Sequence, residues 1–137
     1  MKAFSVHILA ADHAFFEGEC TSLVLPTVDG QYGVLAGHSN AIGALVPGTL
    51  TCRTAAGDVL YAAVSAGLVK IEDGEALVLV DTAERPEEID ANRAQRAADQ
   101  AKEELLQKKS IQEYRMAQSN LARALSRLQV KSSANKH

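Results

Sequence analysis

A β + α protein is the fold class this sequence predicts, with an antiparallel β domain over residues 1–85 followed by an antiparallel two-helix hairpin over residues 86–137. Three observations carry the prediction. All nine glycines lie at or before Gly74 and all three prolines at or before Pro86, so chain breakers vanish from the last third. Short runs rich in Val, Leu and Ile alternate with turn signals as far as Val80. From Ile89 onward apolar residues recur at three- and four-residue steps instead.

FSVHIL at 4–9 opens the β domain, alternating apolar with polar or small residues. Apolar runs follow at SLVLP (22–26), VLYAAVSAGLVKI (59–71) and EALVLV (75–80). Between them stand Asp29-Gly30, Gly57-Asp58 and Asp73-Gly74, where glycine supplies the positive φ that tight hairpins require. Many short strands without a helical period predict a small sandwich or barrel. A domain of this size buries only somewhat more than about 60% of its unfolded surface, so packing partners would help it.

The hairpin begins at Pro86, which suits a first helical turn, with Glu87 and Glu88 placed to complement the positive end of the helix dipole. Ile89, Ala94, Ala97, Ala98, Ala101, Leu105 and Leu106 form its apolar positions. The pattern stops at Lys108-Lys109-Ser110. Ser110 with Glu113 matches a capping box, so a second helix is expected from there through Tyr114, Ala117, Leu121, Ala124, Leu125 and Leu128. Inner faces made mostly of alanine allow close approach but bury little area. Such a hairpin should be weakly held and able to open.

Charge divides at the same boundary: residues 1–86 carry net −6 and residues 87–137 net +3, within a total of −3. Two units with different partners are implied. No apolar run approaches the roughly 20 residues of a membrane span, and the N-terminus lacks a secretion-signal pattern. The expectation is a cytoplasmic location without membrane insertion. Nucleic acid is not expected as a partner, because the chain is acidic overall and its basic end has one aromatic, Tyr114.

Catalytic chemistry finds no support in the residues. His7, His13, His38 and His137 share no ligand spacing, no nucleophile motif is present, and neither phosphate-binding glycine signature occurs. No catalytic residue, metal site or obligatory cofactor is expected. His7 occupies a polar position of its strand and should face outward. Cys20 and Cys52 have no C-x-x-C spacing and no neighbouring histidine, so they are expected to be buried free thiols rather than a disulfide or zinc site.

GQYGVLAGHSNAIGALVPG at 30–48 resembles the glycine-rich segment of the epsilon subunit of F-type ATP synthases, and YAAVSAGLVKI, VLVDTAER and LARALSRLQV resemble further family segments in the same order. The resemblance runs to about Val130. It implies a ten-stranded β-sandwich with a C-terminal helical hairpin, in a non-catalytic, regulatory rotor subunit on the cytoplasmic face of the membrane. Implied partners are the gamma subunit, the membrane c-ring, and the alpha and beta subunits of the catalytic hexamer. The implied role is to couple proton or sodium translocation to ATP synthesis and to obstruct ATP hydrolysis with the extended hairpin. The loop containing Gln31, Tyr32, Gly33 and His38 would face the ring, with Gln31, Tyr32 and Ala36 standing where the family has glutamate, leucine and proline. Arg115, Arg123, Arg127 and Lys131 would meet the hexamer, since a basic helix suits an acidic surface. Without the resemblance, the residues also fit a free-standing β-sandwich adaptor or small-molecule binder.

Ile89-Asp90-Ala91-Asn92-Arg93-Ala94 matches the I/L-D-x-x-R-A motif with which many bacterial members bind ATP. If the hairpin turns near residue 108, antiparallel packing sets Arg93 beside Arg123 and roughly a turn from Arg127. Arginine forks suit phosphate oxygens. Asp90 and Ile89 would then serve the adenosine end, with Glu84 contributing from the sandwich, and ATP would be a regulatory ligand. Gln100 occupies the place of a further family arginine, leaving one phosphate contact fewer.

Overall fold

A computed structural model describes residues 2–106 and 111–135. Nine strands are found among these residues, where ten were expected: β1 (Phe4–Leu9), β2 (Ala14–Thr27), β3 (Gly30–Val34), β4 (Ala41–Leu45), β5 (Gly48–Thr54), β6 (Val59–Val64), β7 (Gly67–Glu72), β8 (Glu75–Val80) and β9 (Ala83–Glu84). A short 3-10 turn at Pro86–Glu88 leads to helices α1 (Ala91–Leu106) and α2 (Ile111–Asn135). Neither helix is long and apolar enough to cross a membrane.

The strands run β4-β7-β8-β1-β2-β5-β6-β9, with β3 also on β2. Long β2 joins the two layers of the sandwich: its first half pairs with β1, its second half with β3 and β5. Pairing is antiparallel except between β1 and β8, which run parallel. Alternation decides what enters the core. Val6 and Ile8 of β1, Leu23 and Leu25 of β2, and Val78 of β8 are fully buried between the layers, while His7 faces outward and meets Glu17 across the β1–β2 pair at 3.3 Å.

The hairpin turns obey the local chemistry. Asp73 and Gly74 both take positive φ (51° and 80°), the conformation a two-residue β7–β8 loop requires. Gly67 is needed for another reason, since a Cβ there would overlap the Leu79 carbonyl oxygen of the neighbouring strand.

Three expectations are corrected. Cys20 and Cys52 are bridged by a disulfide between β2 and β5 rather than being free. The two are 32 residues apart in sequence but come together because these strands pair, a long-range relation that spacing does not encode. The VLYAAVSAGLVKI run divides into β6 and β7, with Ser65 Oγ at the break accepting from the N–H groups of Asp81 and Thr82. Pro86 opens a 3-10 turn rather than α1, because Asp90 stops that turn and caps α1 itself: its Oδ1 accepts from the Arg93 N–H at 3.1 Å. Ala97 and Leu106 lie outside the apolar seam of α1, which is made by Ala94, Ala98 and Ala101. The expected hairpin turn at Lys108-Lys109-Ser110, and with it the Ser110 capping box, lies outside the described residues.

Helix α2 packs against α1 through Ala117 and Ala124 and against the outer surface of β5 and β6 on another side. Its seam with the sandwich is thin. Val130 is buried with Ala63 of β6 and Ile89 of the linker, with Tyr61 packed alongside. Ser126 Oγ on α2 and Thr49 Oγ1 on β5 are buried without a hydrogen-bond partner among the described residues. The helices therefore lie docked on the sandwich across little apolar area, with two hydroxyls poorly served.

Candidate functional site

The segment between sandwich and helices is held firmly. Arg85 sits 4.6 Å over the Phe15 ring and donates from its guanidinium to the Phe15 carbonyl at 3.0 Å. Glu88 accepts from the Arg85 N–H at 3.1 Å, and its own N–H donates to the Arg85 carbonyl. These bonds fix Glu88 beside Arg85, and Glu88 and Asp90 share a cleft lining with Arg127 of α2.

Opposite them, Arg127 of α2 donates from Nε and a terminal nitrogen to Glu84 Oε1 at 2.7 and 2.6 Å. One turn on, Lys131 Nζ donates to the Pro86 carbonyl at 3.2 Å. The last strand, the linker, α1 and α2 thus enclose a cleft of about 360 Å³, whose polar lining is Glu84, Glu88, Asp90, Arg93 and Arg127. Ala97 and Arg127 also belong to a second cleft of about 190 Å³, which continues between the helices past Gln100, Glu104, Asn120 and Arg123.

Four of the six residues expected at an ATP site, Glu84, Asp90, Arg93 and Arg127, therefore line one cavity. Arg123 is in the adjoining one, where it also donates to Ser119 Oγ at 2.9 Å. Arg127 lines both clefts, so the three guanidiniums are strung along the hairpin rather than gathered at one point. Ile89 is not in the lining: its side chain is buried in the seam with Val130. Asp90 is partly committed to capping α1. Glu88 is a lining residue that sequence reasoning assigned only to a helix dipole.

Elsewhere, the side chains expected to face a partner fall into two groups. Tyr32 and His38 are joined: His38 Nδ1–H donates to the Ser39 carbonyl at 2.7 Å, leaving Nε2 to accept from the Tyr32 hydroxyl at 2.6 Å. Gln31 and Gly33 are exposed beside them on β3. On α2, Arg115 and Arg123 are exposed, whereas Arg127 and Lys131 are engaged by the sandwich side as described.

One surface went unread. Ile42 on β4, Leu68 on β7 and Leu79 on β8 are exposed apolar residues on paired strands, next to an open groove lined by Leu9 and Ala10. The signal was available in GLVKIE: with Val69 and Ile71 turned inward, Leu68 stands at a position where alternation calls for a polar residue.

Comparison with known proteins covers the whole architecture. The family described as "ATP synthase, Delta/Epsilon chain, beta-sandwich domain" matches residues 3–86, and "ATP synthase, Delta/Epsilon chain, long alpha-helix domain" matches residues 87–132. An ATP synthase epsilon chain of Ruminiclostridium cellulolyticum is 41% identical over 128 residues, covering 93% of this chain and 95% of that one. One from Clostridium novyi is 36% identical, covering 94% and 98%. Among solved structures, a chain of the Euglena gracilis mitochondrial ATP synthase in its OSCP/F1/c-ring assembly superposes with a TM-score of 0.82 at 21% identity, covering 98% of this chain and 82% of that one. A chain of the Tetrahymena thermophila mitochondrial ATP synthase central stalk and c-ring gives 0.71 at 15%, covering 93% and 95%.

Proposed function

The chain belongs to the delta/epsilon chain family of the ATP synthase, and on that premise we propose that it is a non-catalytic rotor subunit of the central stalk, whose hairpin restrains ATP hydrolysis when extended and is held docked by ATP. Its place is peripheral, on the cytoplasmic face of the membrane, between the gamma subunit and the ring that carries protons or sodium ions. The exposed Ile42, Leu68 and Leu79 surface is where a stalk partner would cover apolar area, and the exposed residues of the Gln31–His38 segment would meet the ring.

The observation that carries the regulatory reading is that the cleft is lined jointly by the sandwich, the linker and both helices. Glu84 comes from the sandwich, Glu88 and Asp90 from the linker, Arg93 from α1 and Arg127 from α2. A nucleotide filling the cleft touches all four parts and so stabilises the docked form. At a hundredfold excess over Kd, binding to that form alone contributes about 2.7 kcal/mol. Arg93 and Arg123 receive phosphate oxygens, Arg127 divides itself between phosphate and Glu84, and Glu88 and Asp90 accept from hydroxyl or amino groups of the nucleoside.

Extension reverses the contacts. Arg127 and Lys131 leave Glu84 and the Pro86 carbonyl, joining Arg115 and Arg123 as a basic face that suits an acidic surface on the alpha and beta subunits. Calorimetric titration of ATP into the whole chain tests the ligand: binding that weakens in Arg93→Ala and Arg127→Ala supports it, and no heat at millimolar ATP rejects it. Co-purification tests the assignment independently, since a tagged chain should bring down gamma, alpha and beta subunits.

A further inference from the structure

We propose that the thiol–disulfide state of Cys20 and Cys52 sets how firmly the helical hairpin is seated, so that a dithiol reductant shifts this chain toward the extended hairpin. The inference rests on the docked and extended forms proposed above, and not on the nucleotide. Sheet topology carries it. In the order β4-β7-β8-β1-β2-β5-β6-β9, the ladder between β2 and β5 is the only one among the described residues that joins β5, β6 and β9 to the remaining strands. The seat of α2 lies on those three strands. Helix α2 packs on β5 and β6, Tyr61 and Ala63 of β6 meet the seam of Val130 and Ile89, and Glu84 of β9 receives Arg127.

The disulfide crosses that ladder, with 6.6 Å between its Cα atoms. It does so beside a slip in the pairing: Cys20 is opposite Thr54, Cys52 is opposite Leu23, and the register shifts between Cys20 and Ser22. A slipped ladder is locally disrupted, and here a covalent bond holds β5 to β2. On its other side Cys52 pairs with Leu60 and Thr51 with Tyr61, so movement of β5 passes directly to the side chains beneath Val130. Reduction by a dithiol breaks the S–S bond: Cys20 and Cys52 become thiols, and the reductant, losing two electrons and two protons, becomes a disulfide. Both cysteines are fully buried, so the attacking thiolate reaches a sulfur only when β5 parts from β2, and either state persists between such openings. In the reduced chain the Arg127–Glu84 pair and the Val130 seam hold the helices to strands that are less firmly tied. The extended form, which restrains hydrolysis in the proposed reading, gains at the expense of the docked one.

Amide hydrogen exchange of the whole chain, oxidised and after complete reduction with dithiothreitol, tests this. Exchange of α2 is expected to be roughly threefold faster or more in the reduced chain while the sandwich stays folded. The double variant Cys20→Ala/Cys52→Ala is expected to match the reduced chain with or without dithiothreitol. Unchanged exchange of α2 on reduction would overturn the inference, as would an effect of dithiothreitol on the double variant, which has no disulfide to reduce. Loss of the whole β fold on reduction would also overturn it, because the bond would then hold the fold rather than set the seat. If α2 exchanges without protection in the oxidised chain, the docked-hairpin reading itself fails.

Discussion

Arg127 on α2 and Glu84 at the end of the last strand form the only ion pair among the described residues that ties the hairpin to the sandwich, with both guanidinium contacts converging on one carboxylate oxygen. Lys131 follows one turn later on the Pro86 carbonyl. These cations are among those that would meet the catalytic hexamer in an extended hairpin. Each can make only one set of contacts at a time, so on the proposed reading docking and inhibition would compete for the same side chains.

Removing the pair should loosen the hairpin without harming the sandwich. Glu84→Gln is expected to weaken docking by about 1 kcal/mol, the size appropriate to a pair that retains some solvent contact. Amide hydrogen exchange of α2 checks it: faster exchange confined to the helices is expected, and unchanged protection would show that the pair does not hold them.

Asp90 has a structural duty that must be separated from any ligand role. Asp90→Ala removes the α1 cap and is expected to cost about 1 kcal/mol of helix stability, whereas Asp90→Asn keeps a capping oxygen. Thermal unfolding should therefore spare the asparagine variant, and a loss of nucleotide affinity in that variant reports the carboxylate's contact with ligand. Equal destabilisation by both changes would contradict the cap.

Ser126 should be better replaced. Its hydroxyl is buried at the helix–sandwich seam without a partner among the described residues, so Ser126→Ala is expected to stabilise the docked form by about 1 kcal/mol. In the opposite direction, Val130→Ala should weaken docking by about 2 kcal/mol, while Leu125→Ala, at a side chain 45% exposed, should change little. Melting followed by helical circular dichroism orders the three variants, and a Leu125→Ala effect equal to that of Val130→Ala would argue against this seam.

The disulfide acts on the sandwich instead. Cys20–Cys52 closes a loop of about 32 residues, for which chain-entropy reasoning gives about 3–4 kcal/mol. Complete reduction is expected to lower the melting temperature of the β domain, and identical melting of the oxidised and reduced chain would contradict a stabilising link.

The strands were legible where local chemistry dictates them. Phe4–Leu9 and Glu75–Val80 appear in the structure with the bounds their apolar runs mark, and Asp73-Gly74 turns where its backbone permits. Relations across the chain were not legible in the same way. The Cys20–Cys52 link needs β2 beside β5, and the start of α1 depends on Asp90 rather than on the proline that precedes it. For the candidate site, antiparallel reasoning placed Arg93 and Arg127 on facing helices. It could not show that Glu84 already occupies Arg127, or that Ile89 is spent on the seam, because both depend on how α2 lies on β5 and β6.

The central claim is that the docked hairpin and the nucleotide cleft form together. Pulsed electron–electron resonance between spin labels at Asp58, exposed beside β6, and Ser132, exposed on α2, reads the docked population of the whole chain directly. A single distance population that grows and narrows with nucleotide, and that Glu84→Gln depletes, is the predicted result. A distribution indifferent to both nucleotide and Glu84→Gln would contradict the account.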